Sequence, residues 1–213
     1  MGIDMISPEW ETYLNGLVPP RHPELQAMEA HARKIRFPII GPACGQFCYF
    51  ITRLTGATSV FEMGSGFGYS TAWFARAVKE NGGGVVHHVV WDQDLSNQAR
   101  THLTALGLID LVQFHVGEAI QELRNTPGPF DVIFNDIDKQ DYPLSLPVIR
   151  DRLRSGGLMI TDNMLWHGAV IDPDDHEPTT EGVHELTRLV TTDPAWLSSL
   201  VPIRDGMLVA QKR

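Results

Sequence analysis

From residue 58 onward, short apolar segments alternate with longer amphipathic ones, and this alternation constrains the fold more than any other feature of the chain. The apolar segments predict strands, and in chain order they are TSVFEM (58–63), VVHHVVW (85–91), LVQFHV (111–116), FDVIFND (130–136) and GLMITDN (157–163). The amphipathic segments predict helices, and they are STAWFARAVKE (70–80), LSNQARTHLTAL (95–106), EAIQELR (118–124), YPLSLPVIRDRL (142–153) and EGVHELTRLVT (181–191). Strands that alternate with helices form βαβ units, so we expect an α/β protein with a mainly parallel sheet and helices on both faces.

The two ends of the chain depart from this alternation. Apolar segments at 196–203 and 207–212 flank Arg204-Asp205-Gly206, a turn signal that predicts an antiparallel hairpin. Before the first strand, helical patterns occur at about 8–16, 23–35 and 42–55. The polar loop at 171–182 is either a lid over a site or a surface excursion.

Length and charge limit the classes of protein and partner. With 213 residues and 43% hydrophobic content, the chain suits one well-buried domain over residues 1–213, with an amino-terminal helical segment (1–40) and a core (41–213). The net charge of -9 counts against a broad phosphate-binding surface, so we expect a small-molecule partner and no nucleic acid. No segment approaches transmembrane length and "MGIDMISPEW" lacks a signal-peptide pattern, so we expect a cytoplasmic protein without a membrane partner.

Four of the five predicted parallel strands end in an acidic residue. These residues are Glu62, Asp92, Asp136 and Asp162. In open parallel sheets, ligands bind beyond the carboxyl ends of the strands, where all four acids would meet. A helix cap or a solvated loop explains any one acid equally well, but four on one edge indicate a binding site.

The segment EMGSGFGYS (62–70) is a glycine-rich turn between a predicted strand and a predicted helix. A dinucleotide site offers backbone N–H groups to an anionic pyrophosphate, which Glu62 would repel, and Tyr69 stands where G-x-G-x-x-G requires its third glycine. No G-K-[ST] follows the turn, which excludes a P-loop. S-adenosylmethionine (SAM) fits better, because it has no phosphate and carries a sulfonium and an ammonium group. Asp92 would then accept hydrogen bonds from the ribose hydroxyls.

Three motifs together resemble the cation-dependent O-methyltransferases of the catechol and caffeoyl-CoA type. They are VFEMGSGFGYSTAW, FDVIFNDIDKQDY and GGLMITDNMLWHG. The resemblance runs from about residue 40 to the end and closes on VPIRDGMLVA, which is similar to the last hairpin of that family. It implies a Rossmann-like class I methyltransferase fold, with seven strands of which the last is antiparallel.

The resemblance also implies roles for residues near the ends of the fourth and fifth predicted strands. Asp136, Asp162 and Asn163 would bind a divalent cation, and their hard oxygen atoms suit Mg²⁺ best, with Mn²⁺ or Ca²⁺ as alternatives. Lys139 would take the hydroxyl proton of the acceptor; the plainer alternative is a lysine paired with Asp138 or Asp141.

Cofactor and acceptor contacts complete the set that the resemblance implies. The cofactor contacts are Glu62, Gly64, Ser65, Gly66, Tyr69, Ser70, Asp92, Gln93, Glu118, Ala119 and Asp136. Trp166 is either a wall of the acceptor pocket or a buried core residue. Residues 1–40 would shape acceptor choice.

The function that these motifs indicate is methyl transfer from SAM to a hydroxyl of a small catechol-like diol, by a homodimer. One alternative is a methyltransferase of a hydroxylated tRNA base, which only the basic cluster HARKIR (31–36) supports and the net charge opposes. A second alternative is a SAM-binding protein without catalysis, which would need neither Lys139 nor a cation site. A third, an NAD-dependent oxidoreductase, is disfavoured by Glu62 and Tyr69.

Overall fold

The computed structural model describes residues 8–213, which form a seven-stranded sheet with the strand order β3-β2-β1-β4-β5-β7-β6. The strands are β1 (Ser59–Met63), β2 (Val85–Val90), β3 (Val112–Val116), β4 (Phe130–Asn135), β5 (Leu153–Thr161), β6 (Trp196–Val201) and β7 (Met207–Lys212). Neighbours from β3 to β5 pair in parallel, whereas β7 runs antiparallel to both β5 and β6. The predicted mainly parallel sheet with an antiparallel last strand is confirmed.

Eight α-helices surround the sheet. They are α1 (Pro8–Gly16), α2 (Pro23–Ile35), α3 (Gly41–Leu54), α4 (Tyr69–Glu80), α5 (Gln93–Ala105), α6 (Ala119–Asn125), α7 (Tyr142–Arg152) and α8 (Pro178–Thr192). Helix α8 begins three residues before the predicted start, because Pro178 fits the first turn of a helix. Residues 1–7 of the predicted amino-terminal segment lie outside the described part of the chain.

The core has two layers because successive strand residues point to opposite faces of the sheet. On one face, Val60 and Phe134 belong to a cluster that α2, α3, α4 and α5 cover. On the other face, Phe61 and Ile133 belong to a cluster that α6, α7 and α8 cover. This arrangement confirms helices on both faces of the sheet. In residues 8–213, no helix is long and apolar enough to cross a membrane.

Strand β5 is the element that differs most from its prediction. It begins at Leu153 rather than at Gly157, and its register against β4 shifts between the Phe130–Leu153 and Val132–Leu158 pairs. Gly156 has a φ of 73°, so the extra residues form an irregular step that a period-two pattern does not reveal.

Backbone hydrogen bonds extend the sheet past the strand ends at its carboxyl edge. Asp136 N donates to Met63 O at 3.0 Å, and Asp162 N donates to Asn135 O at 3.2 Å. Gly117 N donates to Val90 O at 3.0 Å. The loops that leave β3, β4 and β5 therefore start from fixed positions, and side chains there are held by the sheet itself.

Candidate active site

A cavity of about 640 Å³ opens at the carboxyl edge of the sheet. This volume lies within the usual range of small-molecule sites. The turn after β1 forms one wall, the segments after β4 and β5 form another, and residues 37–40 close the side nearest the amino-terminal helices. The sequence-predicted residues that line it are Gly64, Ser65, Gly66, Tyr69, Ser70, Glu118, Ala119, Asp136, Lys139, Asn163 and Trp166. Among residues 8–213, the lining of the cavity does not include Glu62, Asp92, Gln93 and Asp162.

The glycine-rich turn needs its glycines because of close backbone approaches. Gly64 has a φ of 87°, and a Cβ there would meet Asp136 O at 2.3 Å. Gly68 has a φ of 91°, and a Cβ there would lie 2.9 Å from the Cβ of Ala99. Any larger side chain at Gly64 would push the turn away from the exit of β4. The turn and the Asp136 segment thus form one continuous surface.

Glu62 lies beneath this turn rather than on the cavity surface. It is fully buried, and its Oε2 accepts a hydrogen bond from Thr71 Oγ1. Burial raises the pKa of Glu62 to about 7, although hydrogen bonds from hydroxyl groups, Ser70 first, act in the opposite direction. The structure gives Glu62 a role in holding the start of α4, and its direct contact with the cofactor stays a prediction.

A buried histidine completes the hydrogen-bonded group around Glu62. His88 Nδ1 lies 3.0 Å from Thr71 Oγ1. Burial lowers the pKa of His88 to about 3, so the ring is neutral. When Glu62 is ionised and accepts the single hydroxyl proton of Thr71, His88 donates to Thr71 through Nδ1–H.

Asp92 caps a helix instead of facing the cavity. Its Oδ1 accepts a hydrogen bond from Leu95 N at 2.8 Å, which caps α5. Gln93 is exposed and donates to Asn97 Oδ1. The cavity surface at this strand end comes from Val90 and Trp91, and Trp91 is 80% exposed. The cap uses only Oδ1 of Asp92, so the cofactor contacts of Asp92 and Gln93 stay predictions.

Glu118 combines both roles. It lines the cavity, and its two carboxylate oxygens accept hydrogen bonds from Ile120 N at 2.8 Å and Gln121 N at 2.7 Å, which caps α6. Ala119 lines the cavity beside it. The prediction for this segment thus rests on its backbone and on Ala119 more than on the free charge of Glu118.

Tyr69 joins the cofactor turn to helix α2. Its hydroxyl donates to Glu29 Oε1 at 2.9 Å, while Arg21 donates to both oxygens of Glu29 at 2.7 and 2.8 Å. Burial raises the pKa of Tyr69 well above its usual range, so the hydroxyl stays protonated and donates. Sequence reasoning missed Arg21 and Glu29, because a salt bridge eight residues apart has no recognisable pattern.

Lys139 and Asp136 meet at the acidic end of the cavity. Lys139 Nζ donates to Asp136 Oδ1 at 2.8 Å and to Ile137 O at 3.2 Å. The ammonium lies 5.7 Å from the centre of the Trp166 ring, and Trp166 lines the cavity as a half-buried wall. The alternative partners Asp138 and Asp141 are not the ones to which Lys139 donates. The lysine is buried to 9% exposure and points at the proposed reaction site.

Asp162 lies behind the cavity surface. It is fully buried, and its Oδ2 accepts a hydrogen bond from Arg204, a residue that sequence reasoning did not single out. In the described part of the chain, Asp162 Oδ1 has no hydrogen-bond partner. Burial, and then the charge of Asp136, raises the pKa of Asp162 to about 6.

Asn163 presents one end of its amide to the cavity. Its Nδ2 donates to Asp205 Oδ2 at 2.9 Å, and Asp205 also accepts from His167 N at 2.7 Å. Because the amide nitrogen is engaged, the amide oxygen is free to bind a cation. Asp205 thus orients Asn163, which the turn signal at 204–206 did not predict.

The donor set fits a divalent cation by its chemistry. Two carboxylates and one amide oxygen are ligands that Mg²⁺, Mn²⁺ and Ca²⁺ prefer, and the unpartnered Oδ1 of Asp162 is a ready donor. Residues 8–213 contain no cluster of three His, Cys, Asp or Glu side chains that could hold a metal ion, so Asn163 would supply the third donor. Arg204 and Lys139 each hold one of the two carboxylates in this arrangement.

Backbone strain concentrates around this site. Five described residues other than glycine have a positive φ, and four of them line the cavity: Asn163 (58°), Trp166 (44°), His167 (54°) and Arg204 (51°). Such residues cost about 1–3 kcal/mol each and cluster at functional sites. Strain therefore identifies the same location as the carboxylates do, by an independent criterion.

Comparison with known proteins finds similarity to O-methyltransferases. A model of an O-methyltransferase family matches residues 21–213. A catechol O-methyltransferase from Niastella koreensis is 31% identical over 180 residues, which cover 80% of each chain. The structure of an O-methyltransferase from Bacillus cereus in complex with SAH has a TM-score of 0.86 at 26% identity and covers 95% of this chain and 96% of its own. The O-methyltransferase TomG from Streptomyces achromogenes in complex with SAM has a TM-score of 0.86 at 25% identity and covers 96% of both chains.

Proposed function

The chain belongs to the O-methyltransferase family and is a SAM-dependent O-methyltransferase, and from this premise we propose that it methylates a hydroxyl of a small acceptor with two adjacent oxygens, with the help of a divalent cation. The observation that carries the proposal is the position of Lys139. A proton acceptor beside a cation site must have its nitrogen at the cavity wall, and Lys139 Nζ lies there, 2.8 Å from Asp136 Oδ1 on a wall shared with Asn163.

The cofactor end of the cavity is proposed to be the glycine-rich turn. Gly64, Ser65 and Gly66 supply backbone close to the ligand, and Tyr69 and Ser70 begin the helix that follows. Glu62 contributes from below, because it holds Thr71 and thereby the first turn of α4. The segment at Glu118 and Ala119 forms the other wall.

The acceptor end of the cavity is proposed to be the acidic corner, which consists of Asp136, Asp162 and Asn163. Asp136, Asp162 and Asn163 would hold a divalent cation, which when bound makes an acceptor hydroxyl more acidic. Lys139 Nζ, in its neutral form, takes the hydroxyl proton. The acceptor oxygen then forms a bond to the methyl carbon of SAM as the carbon–sulfur bond breaks, and SAH leaves. Trp166 walls the acceptor on the side of Lys139, which limits its orientation.

The test is methyl transfer from isotope-labelled SAM to a panel of vicinal diphenols and hydroxylated RNA, with Mg²⁺ or with a chelator. We expect transfer to a diphenol, no transfer to RNA, and loss of activity on chelation that Mg²⁺ or Mn²⁺ reverses. Full activity in the chelator would contradict the proposed need for a cation. Preference for RNA would favour the alternative acceptor, a hydroxylated tRNA base.

Lys139→Met provides the second arm of this test. Loss of the proton acceptor should lower the rate by on the order of a hundredfold or more. Binding of SAM should stay nearly unchanged, and higher pH should restore part of the rate as solvent removes the proton. Lys34→Met, which removes an exposed lysine of α2, is the matched control. An unchanged rate in Lys139→Met would refute the role of Lys139.

A further inference from the structure

We propose that Arg204 competes with the cation for Asp162, so that its guanidinium group weakens the binding of a divalent ion at this carboxylate. This inference rests on the proposed function, since it concerns the same ligands. It assigns to Arg204 the control of how tightly the site binds a cation.

The backbone conformation of Arg204 indicates that its guanidinium group has a function. Arg204 lies in the turn between β6 and β7, and its φ of 51° is a conformation that favours glycine. An arginine there costs stability that a glycine would not. The turn itself needs no arginine, so a requirement for the guanidinium group explains the residue.

The guanidinium stands between the buried carboxylate and the cavity. Asp162 is fully buried and accepts from Arg204 Nη2, whereas Arg204 lines the cavity with a quarter of its side chain exposed. A cation that enters from the cavity therefore meets Arg204 before it meets Asp162. Of the three proposed ligands, Asn163 and Asp136 line the cavity directly.

Charge makes Arg204 and a divalent ion compete for Asp162. Two side-chain cations already serve the two carboxylates, with Lys139 on Asp136 and Arg204 on Asp162. A divalent ion on the same carboxylate would lie within a few ångströms of the guanidinium, and like charges at that distance repel each other strongly in a buried site. Each occupant must therefore weaken the binding of the other by the same factor.

On its other side Arg204 borders a second cavity of about 10 Å³ between α1 and α3, which Glu11, Asn15 and Cys44 also line. This space is too small for a guanidinium group, so release of Asp162 would move the side chain toward the main cavity, which Arg204 also lines.

The experiment measures Mn²⁺ binding directly, by calorimetry and by the electron paramagnetic resonance signal of free Mn²⁺, in the absence of any acceptor. Arg204→Met removes the charge and keeps the apolar stem, and we expect it to bind Mn²⁺ at least tenfold more tightly than the wild type. Arg204→Lys keeps the charge but reaches less far and loses the two-pronged guanidinium, so an intermediate affinity is expected. Arg150→Met removes the arginine of a surface ion pair with Asp193 and should leave the affinity unchanged.

Thermal unfolding gives a second readout. Without the guanidinium, Asp162 lacks a counter-ion, so Arg204→Met should unfold at a lower temperature than the wild type in chelator. Added Mn²⁺ should raise its unfolding temperature by more than it raises that of the wild type. Circular dichroism establishes that each variant is folded. If Arg204→Met is not folded even with Mn²⁺, the Mn²⁺ affinity of Arg204→Lys relative to that of the wild type is the deciding measurement.

The outcomes separate the two proposals. Equal or weaker Mn²⁺ binding in the folded Arg204 variants overturns the role of Arg204 while leaving the cation site intact. Failure of the wild type and of every variant to bind Mn²⁺ removes the cation from the proposed function, and the inference falls with it. Tighter binding in both Arg204 variants, with Arg150→Met unchanged, supports it.

Discussion

Each carboxylate in this site has a different hydrogen-bond partner, and that partner determines what the residue can do. Asp136 is held by Lys139, Asp162 by Arg204, and Asp92 by a backbone N–H of α5. Glu62 is the exception, because its burial favours the protonated form and only hydroxyl groups approach it. Each acid at the carboxyl edge thus has a different partner and a different structural role.

The raised pKa of Glu62 gives a testable dependence of stability on pH. The folded-state pKa is about 7 against an ordinary value of 4.5, so the native state binds the proton more tightly than the unfolded chain. The resulting stabilisation is fully present below pH 4.5 and is lost as the pH rises through 7. Glu62→Gln mimics the protonated form, and it should be up to about 3 kcal/mol more stable than the wild type at pH 8 relative to their difference at pH 4.

Urea unfolding at the two pH values measures this difference. Other titrating groups affect both proteins alike, so they cancel in the comparison. Glu177→Gln, at an exposed glutamate just before α8, is the matched control and should follow the wild type at both pH values. A gap between Glu62→Gln and the wild type that does not change with pH would rule out a raised pKa.

At the scale of elements, helix α2 is fastened to the cofactor turn through one carboxylate. Glu29 is 5% exposed and accepts from Arg21 and from the Tyr69 hydroxyl, so residues from three parts of the chain converge on it. The position of the glycine-rich turn therefore depends on Glu29, a residue outside the motifs that identify the family.

Glu29→Gln should loosen this connection. The amide keeps the shape but loses the charge that Arg21 needs, so we expect a loss of about 1–3 kcal/mol in the free energy of unfolding. Amide hydrogens of the turn at 64–70 should exchange faster, and SAM should bind more weakly. Hydrogen exchange and calorimetry measure the two effects. Glu185→Gln, which breaks an exposed pair with Arg188, should change neither. Unaltered exchange in the turn would show that α2 does not hold it.

The sequence was sufficient for the elements and for the edge of the sheet at which the cavity lies, and insufficient for the side-chain contacts there. Alternating apolar segments predict the strands because the side-chain period is local, and strand ends locate the acids because parallel strands share one edge. Asp92 shows the limit, since an acid before a helix also serves as a cap, and the hydrogen bond from Leu95 N to Oδ1 is visible only in the structure. Arg204 and Glu29 were missed because their partners lie far away in sequence.

At the scale of the whole molecule, two helices expose large apolar side chains. They are Trp10 (62%), Tyr13 (58%) and Leu17 (62%) on α1, and Phe50 (55%) and Leu54 (69%) on α3. Helices α1 and α3 pack against each other, so these side chains belong to one region of the surface. A concentration of exposed apolar groups favours an interface, and we propose that it joins two copies of the chain.

Sedimentation at micromolar concentration should show a homodimer. The double variant Trp10→Glu, Leu54→Glu places charges in the proposed interface and should shift the equilibrium strongly to the monomer. Leu144→Glu changes an equally exposed leucine on α7 and should leave the dimer intact. A monomeric wild type, or a dimer that survives the double variant, would contradict this surface.

The close approach of Gly64 to Asp136 limits how this enzyme can be redesigned. With 2.3 Å between the place of a Cβ and a carbonyl oxygen, the cofactor wall and the acidic corner cannot be moved separately. A mutant library that diversifies either segment would lose the alignment of methyl donor and acceptor together. Residues 37–40 line the same cavity from outside this fused surface, so new acceptor preferences are best sought there.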